Sequence, residues 1–244
     1  MASDRAPEAQ PPLSGADLDP TAIERHKEAA ARAAAELVRD GMRVGLGTGS
    51  TVAHLLAALG ERAEALRNTR CVATSPATAR IARDLGLTVG ELDDVGELDI
   101  AIDGADQVDP DGWLVKGGGG AHTREKIVAA CARRFVVIAS AEKEVTRLGP
   151  PVPVEVLRFG VQRTLAALGD TRLRDADTSP DGNLIADYAG PVEDPRALAE
   201  RLSGTPGVVE HGLFAPEMVS EILIAGAGGV RRRAGAKAGE KSAA

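Results

Sequence analysis

Apolar positions along the chain switch between two periods. Over 21–38, TAIERHKEAAARAAAELV, apolar and small residues fall three and four apart, the spacing of one helix face. RVGLG at 43–47 is a short apolar run that predicts a buried strand, and STVAHLLAAL at 50–59 returns to the helical spacing. CVATS at 71–75 then predicts a strand, and PATARIARDLG at 76–86 a helix closed by Gly86. LDIAIDGAD at 98–106 predicts a strand ending in acids, REKIVAACAR at 124–133 a helix and RFVVIAS at 134–140 a further strand. Strand and helix in repetition imply an α/β layer, a Rossmann-like and mostly parallel sheet with helices on both faces. Ligands of such sheets bind beyond the carboxyl ends of the strands.

The rhythm changes after Pro150. PPVPVEVL at 150–157 predicts a Pro-bounded strand, GVQRTLAALG at 160–169 a helix and GNLIADY at 182–188 a strand after an Asp-Gly turn. DPRALAERLSG at 194–204 predicts a helix and GVVEHGLF at 207–214 a strand. This order suggests a smaller α+β lobe resembling a ferredoxin-like fold. EILIAG at 221–226 is apolar enough to rejoin the first sheet. The expected organisation is therefore a tail at 1–20, a catalytic domain at 21–151 with about 219–230, an inserted lobe at 152–218, and a second tail at 231–244. Both tails mix Ala, Pro, Gly and charge without a period, the composition of disordered segments.

With 244 residues the chain is long enough to bury a core without disulfide or metal. Cys71 and Cys131 match neither a CxxC pair nor a zinc spacing, and read as small hydrophobes in a reducing compartment. No apolar run reaches the roughly 20 residues of a membrane span, and the opening segment is too polar and Pro-rich for a signal peptide. The expectation is a cytoplasmic protein with no membrane partner. A net charge of −7 argues against a nucleic-acid surface, and the Arg run at 231–233 reads as a solvated tail. It does not exclude an anionic small ligand, which responds to the local field of a cleft.

Three stretches carry candidate chemistry. In GLGTGSTVAHLL at 45–56 a strand runs through glycines into a helix start, which exposes unpaired N–H groups to an anion. The turn has no lysine, so it is not a Walker loop. Its third glycine is Gly49 rather than position 50, and the next strand ends in Thr74 and Ser75 rather than an acid, which leaves dinucleotide binding a poor fit. Thr48, Ser50 and Thr51, three hydroxyls at a helix start, suit one phosphate monoester; on spacing alone, a structural glycine turn fits as well. In DGADQVDP at 103–110, Asp103 and Asp106 flank Gly104 and Ala105, which leave room for a ligand. The pair reads as a turn, as a sugar-hydroxyl site, or with Asp109 and Asp111 as a divalent-ion site. In KGGGGAHTREK at 116–126, bare backbone lies between Lys116 and Glu125. The four glycines expose several N–H groups to close approach, and Glu125 reads either as a solvent-facing residue near a helix start or, beside the glycines, Lys116 and two Asp, as a candidate general base.

GLGTGSTVAHLL, DGADQVDP, KGGGGAHTREKIVA and VPVEV, in this order, resemble ribose-5-phosphate isomerase of the A type over about residues 21–230. The resemblance implies aldose–ketose isomerisation of ribose 5-phosphate and ribulose 5-phosphate without metal or organic cofactor. Glu125 would be the base that moves a proton between C2 and C1. Asp103 and Asp106 would bind sugar hydroxyls, with Asp103 assisting ring opening. Lys116 and the N–H groups of Gly117–Gly119 would stabilise the enediolate. Thr48, Gly49, Ser50, Thr51, Gly104, Ala105 and Lys143 would complete the substrate site, and Lys27 carries over as a phosphate contact. A homodimer or homotetramer is implied.

Two positions depart from the family pattern: Gln107 where an acid is common, and His122 where an apolar or small residue is usual. Neither receives a role, and His54 reads as a helix-packing residue. The competing interpretation is a sugar-phosphate-sensing domain without turnover. Such a protein would carry a DNA-binding module, and the 20-residue leading tail is too short for one.

Overall fold

The computed structural model describes residues 19–175 and 178–239. Its strands are β1 (Arg43–Leu46), β2 (Arg70–Ala73), β3 (Thr88–Val89), β4 (Leu98–Gly104), β5 (Gln107–Val108), β6 (Leu114–Val115) and β7 (Ala132–Ser140). They continue as β8 (Val152–Val156), β9 (Thr171–Leu173), β10 (Leu184–Tyr188), β11 (Val208–His211), β12 (Leu213–Phe214), β13 (Glu221–Gly226) and β14 (Gly229–Ala234). The helices are α1 (Pro20–Ala35), α2 (Ser50–Gly60), α3 (Pro76–Asp84), α4 (Leu92–Val95), α5 (His122–Cys131), α6 (Val161–Leu168) and α7 (Pro195–Ser203).

The main sheet has seven strands in the order β14-β13-β7-β4-β1-β2-β3, all parallel except the β13–β14 pair. One apolar cluster joins Ala30 and Ala34 of α1 and Leu55 and Leu59 of α2 to Leu46, Ile102 and Ile138 on one face of the sheet. A second joins Val128 and Ala129 of α5 to Ala101, Val137 and Phe214 on the other. Both faces are covered, as the sequence pattern predicted, so the strands read as continuous apolar runs. α1 starts where Asp19 accepts from the Thr21 N–H at 3.0 Å, with Pro20 in the first turn.

The remaining strands form a second, antiparallel sheet in the order β11-β8-β10-β9 and a small third sheet, β12-β6-β5. Together with α6 and α7, the second sheet has the strand–helix–strand–strand–helix–strand sequence of a ferredoxin-like lobe. Three details differ from the sequence-based expectation. β9, Thr-Arg-Leu, is a short half-exposed edge with no apolar face to announce it. GVVEHGLF is two strands rather than one, broken at Gly212, where a Cβ would lie 2.1 Å from the Lys116 carbonyl oxygen. The expected tail at 231–244 is also corrected. Residues 231–234 belong to β14, paired with β13, and Arg233 donates to the Asp109 carbonyl at 2.9 Å. An edge strand needs backbone pairing rather than an apolar face, so an Arg-rich stretch can form one. The expected tail at 1–20 lies, apart from Asp19 and Pro20, outside the described residues.

Candidate active site

The carboxyl ends of β1 and β4 lie side by side, so the turn leading into α2 meets the turn after Asp103. Gly47 allows this approach: a Cβ there would stand 1.9 Å from Asp103 Oδ1. That oxygen accepts the N–H groups of Thr48 at 3.2 Å and Gly104 at 2.7 Å, which ties the two turns together. The Thr48 hydroxyl turns inward to Thr74 at 2.7 Å, while Thr78 donates to the Gly47 carbonyl at 3.0 Å. Buried Thr74 and Thr78 thus hold the shape of the first glycine turn. Their only sequence signal was hydroxyl residues after an apolar strand.

The chain runs from β6 to Lys116, whose N–H donates to the Gly212 carbonyl at 2.8 Å, then through the glycines into α5. Lys116 Nζ lies 2.9 Å from Asp103 Oδ2 and 3.1 Å from Glu125 Oε2, and donates to the Gly104 carbonyl at 2.6 Å. Each of the three side chains is at most 4% exposed, so their mutual attraction acts at low dielectric. The Phe214 ring, 5.4 Å from Nζ, seals one side.

Two carboxylates share this single ammonium. Burial disfavours the Lys116 cation, but Asp103 and Glu125 outweigh it and hold the lysine charged well above its ordinary range. Burial, then repulsion from Asp103, raises the Glu125 carboxyl to about 8. Burial also raises Asp103, against the pull of Lys116. Two carboxyl groups thus compete for one cation, and Glu125, the one beside the cavity, is held near the point at which it gains or loses a proton.

That cavity, about 210 Å³, is lined by Thr48, Gly49, Ser50, Thr51, Gly104, Ala105, Asp106, Lys116, Gly117–Gly119, Glu125 and Lys143. Thirteen of the fifteen predicted site residues are therefore brought together. Asp103 does not line it; its carboxylate is turned back to Lys116, Thr48 and Gly104. Lys27 does not line it either: its ammonium pairs with Glu24 on α1 at 2.7 Å. Among the glycine N–H groups, that of Gly118 is already donated to Asp106 Oδ2 at 2.8 Å.

The unassigned residues also find places. Gln107 donates to the Gly149 carbonyl at 2.9 Å and accepts the Gly149 N–H at 2.8 Å, a double pairing that a carboxylate, lacking a donor, cannot make. His122 is fully buried against Gly117, where a Cβ would lie 2.7 Å from Nδ1, and its Nε2 is 3.3 Å from the Glu210 carbonyl. Burial pulls its imidazole down to about 4, so it packs as a neutral ring. His54 ties α2 to α1 through Glu24 at 3.0 Å. Asp109 accepts the Trp113 N–H at 2.8 Å, the turn-stabilising role. Cys71 is buried, with its thiol pushed up to about 12 by burial, whereas Cys131 is half-buried. No described helix is long and apolar enough to cross a membrane.

The family model "Ribose 5-phosphate isomerase A (phosphoriboisomerase A)" matches residues 70–229. Ribose-5-phosphate isomerase A of Caulobacter vibrioides is 47% identical over 221 residues, covering 84% of this chain and 96% of that protein. Among solved structures, ribose 5-phosphate isomerase A from Methanocaldococcus jannaschii superposes with a TM-score of 0.82 at 35% identity, covering 86% of this chain and 99% of that one. The enzyme of the same name from Neisseria gonorrhoeae gives 0.81 at 33% identity, covering 87% and 97%.

Proposed function

Because the chain belongs to the ribose 5-phosphate isomerase A family, we propose that its cavity interconverts D-ribose 5-phosphate and D-ribulose 5-phosphate through an enediolate. The observation that carries this reading is Lys116 held between Asp103 and Glu125 at the foot of a glycine-lined cavity. Glu125, as carboxylate, takes the proton from C2 of the open-chain aldose; the C–H electron pair forms the C1=C2 bond and charge moves to O1. Glu125 then returns a proton to C1 while the O2 hydroxyl proton passes to O1, so that O2 becomes the ketone and O1 the hydroxyl. A base poised near the working pH is suited to both halves of this transfer.

Lys116 and the Gly119 N–H stabilise the charge developing on O1, a task for fixed donors in a dry site. Asp106, on the cavity wall, binds sugar hydroxyls. Asp103 acts one layer back: it holds Lys116 charged and fixes the Thr48 turn, instead of touching the sugar as the sequence suggested. The phosphate sits at the start of α2, on the N–H groups of Ser50 and Thr51, with Lys143 opposite. Lys27, paired with Glu24 on its own helix and outside the cavity lining, takes no part in this reading. A homodimer or homotetramer in the cytoplasm belongs to the same proposal, and light scattering of the purified protein tests its assembly.

The decisive experiment incubates the purified chain with ribose 5-phosphate in D2O containing a chelator and follows the products by NMR. Ribulose 5-phosphate carrying deuterium at C1 is expected. Absence of product sinks the proposal.

A further inference from the structure

We propose that Arg174, clamped by Asp187, is a positioning residue that aims the glycine loop at the substrate. Both residues belong to the α+β lobe: Arg174 follows β9, and Asp187 lies on the neighbouring β10. The guanidinium binds the carboxylate through one edge with two bonds, Nε to Oδ2 at 3.0 Å and Nη2 to Oδ1 at 2.5 Å. Its remaining nitrogen, Nη1, crosses to the catalytic loop and donates to the carbonyls of Gly118 at 2.9 Å and Gly117 at 3.3 Å. β10 adds Ile185, two residues before Asp187 and on the same strand face, at 3.3 Å from where a Cβ of Gly120 would stand. The lobe therefore holds the loop at three of its four glycines, Gly117, Gly118 and Gly120.

The consequence follows from peptide geometry. The only cis peptide among the described residues is Pro150–Pro151, so the glycine peptides are trans and planar, with C=O and N–H pointing in opposite directions. A carbonyl held outward by Arg174 turns the N–H of the next residue the other way. For the Gly117–Gly118 peptide that N–H meets Asp106 Oδ2. For the Gly118–Gly119 peptide it belongs to Gly119, a cavity-lining residue whose N–H has no protein acceptor among the described residues. Four successive glycines have little rotational preference of their own, and Arg174 removes that freedom from outside the cavity. A guanidinium can do this because its planar fork serves Asp187 and the two carbonyls at once, which an ammonium cannot. Arg174 does not line the cavity and touches no reacting atom.

This inference rests on the loop being the oxyanion cradle of the proposed isomerase. It is tested by steady-state kinetics on Arg174→Met, Arg174→Lys, Arg174→Gly and Asp187→Asn. Arg174→Met is expected to lower kcat by about 10- to 100-fold, short of the loss from deleting an oxyanion donor outright. KM should stay within about twofold, since the phosphate and hydroxyl contacts remain. Arg174→Lys should fall between Met and the wild type, and Asp187→Asn should lower kcat in the same direction. Millimolar guanidinium should restore part of kcat to Arg174→Gly and leave the wild type unchanged. A wild-type kcat in Arg174→Met overturns the inference, as does a loss in all variants that tracks their melting temperature and resists guanidinium. If the wild type itself makes no ribulose 5-phosphate, it is the functional proposal that fails.

Discussion

Lys116 Nζ and Glu125 Oε2 lie 3.1 Å apart, each side chain only 3% exposed, and Asp103 takes the other side of the same ammonium. A buried cation with two carboxylates cannot neutralise both, and burial, then repulsion from Asp103, raises Glu125 to about 8. The most informative consequences concern these residues and the glycines that let them meet.

Glu125→Gln keeps the side-chain volume and removes the base. Turnover of ribose 5-phosphate should fall by at least the roughly 10²–10⁴-fold that positioned proton transfer contributes. Calorimetric binding of the substrate should persist, because the α2 turn and Lys143 are untouched. A variant with wild-type kcat would place the base elsewhere.

Lys116→Met leaves two carboxyl groups in a nearly dry site with no cation. Breaking a buried ion pair from one side costs about 3–5 kcal/mol, and the penalty should be read in urea unfolding at pH 8. It should shrink at pH 5, where Asp103 and Glu125, both raised by burial, take up protons instead. A pH-independent penalty would show that the carboxylates do not depend on this lysine.

Gly47→Ala tests the approach of the two turns. The new methyl would overlap Asp103 Oδ1, so the β1 turn or the aspartate must move. Overpacking of this kind costs about 1–3 kcal/mol. Displacement of Asp103 should also lower kcat, measured beside unfolding. Gly228→Ala, at a position with open space and no positive φ, is the control for chain stiffening in the absence of overlap.

The sequence displayed the local parts of this arrangement and hid the parts made by distant chain. Lys116, the glycines and Glu125 form one contiguous stretch, and Asp106 and the α2 turn each end an apolar strand, so composition and position both marked them. Asp103 was visible too, but its turn away from the cavity depends on Gly47, some 56 residues earlier. Arg174 and Asp187 had no signal: an arginine after a short polar edge strand looks like surface until the lobe folds back on the loop. The same physics hid β14, whose backbone pairs while Arg231 and Arg232 reach Glu144 and Glu221 and Arg233 reaches the Asp109 carbonyl.

The pH dependence of stability should have two limbs with separate owners. Glu125 is raised in the folded state from an ordinary value of 4.5 to about 8, so the folded form holds more protons than the unfolded chain across that window. Its contribution is complete below about pH 4.5 and is lost as pH rises to about 8. His122 has the opposite sign. Burial lowers it from 6.5 to about 4, so its contribution is complete above about pH 6.5 and is lost as pH falls toward 4. His211, lowered to about 3 chiefly by burial, extends the acid limb. Where the two windows overlap, from about pH 4.5 to 6.5, the slopes oppose each other; above pH 6.5 only the carboxyl limb remains. Melting temperatures from pH 4 to 9 should therefore show Glu125→Gln flattening the alkaline limb while sparing the acid one. His122→Leu should shrink the acid limb to the share of His211 and spare the alkaline one. A single variant that flattened both limbs would mean that the imidazole and the catalytic trio titrate as one unit, linked through Gly117, whose backbone lies against both.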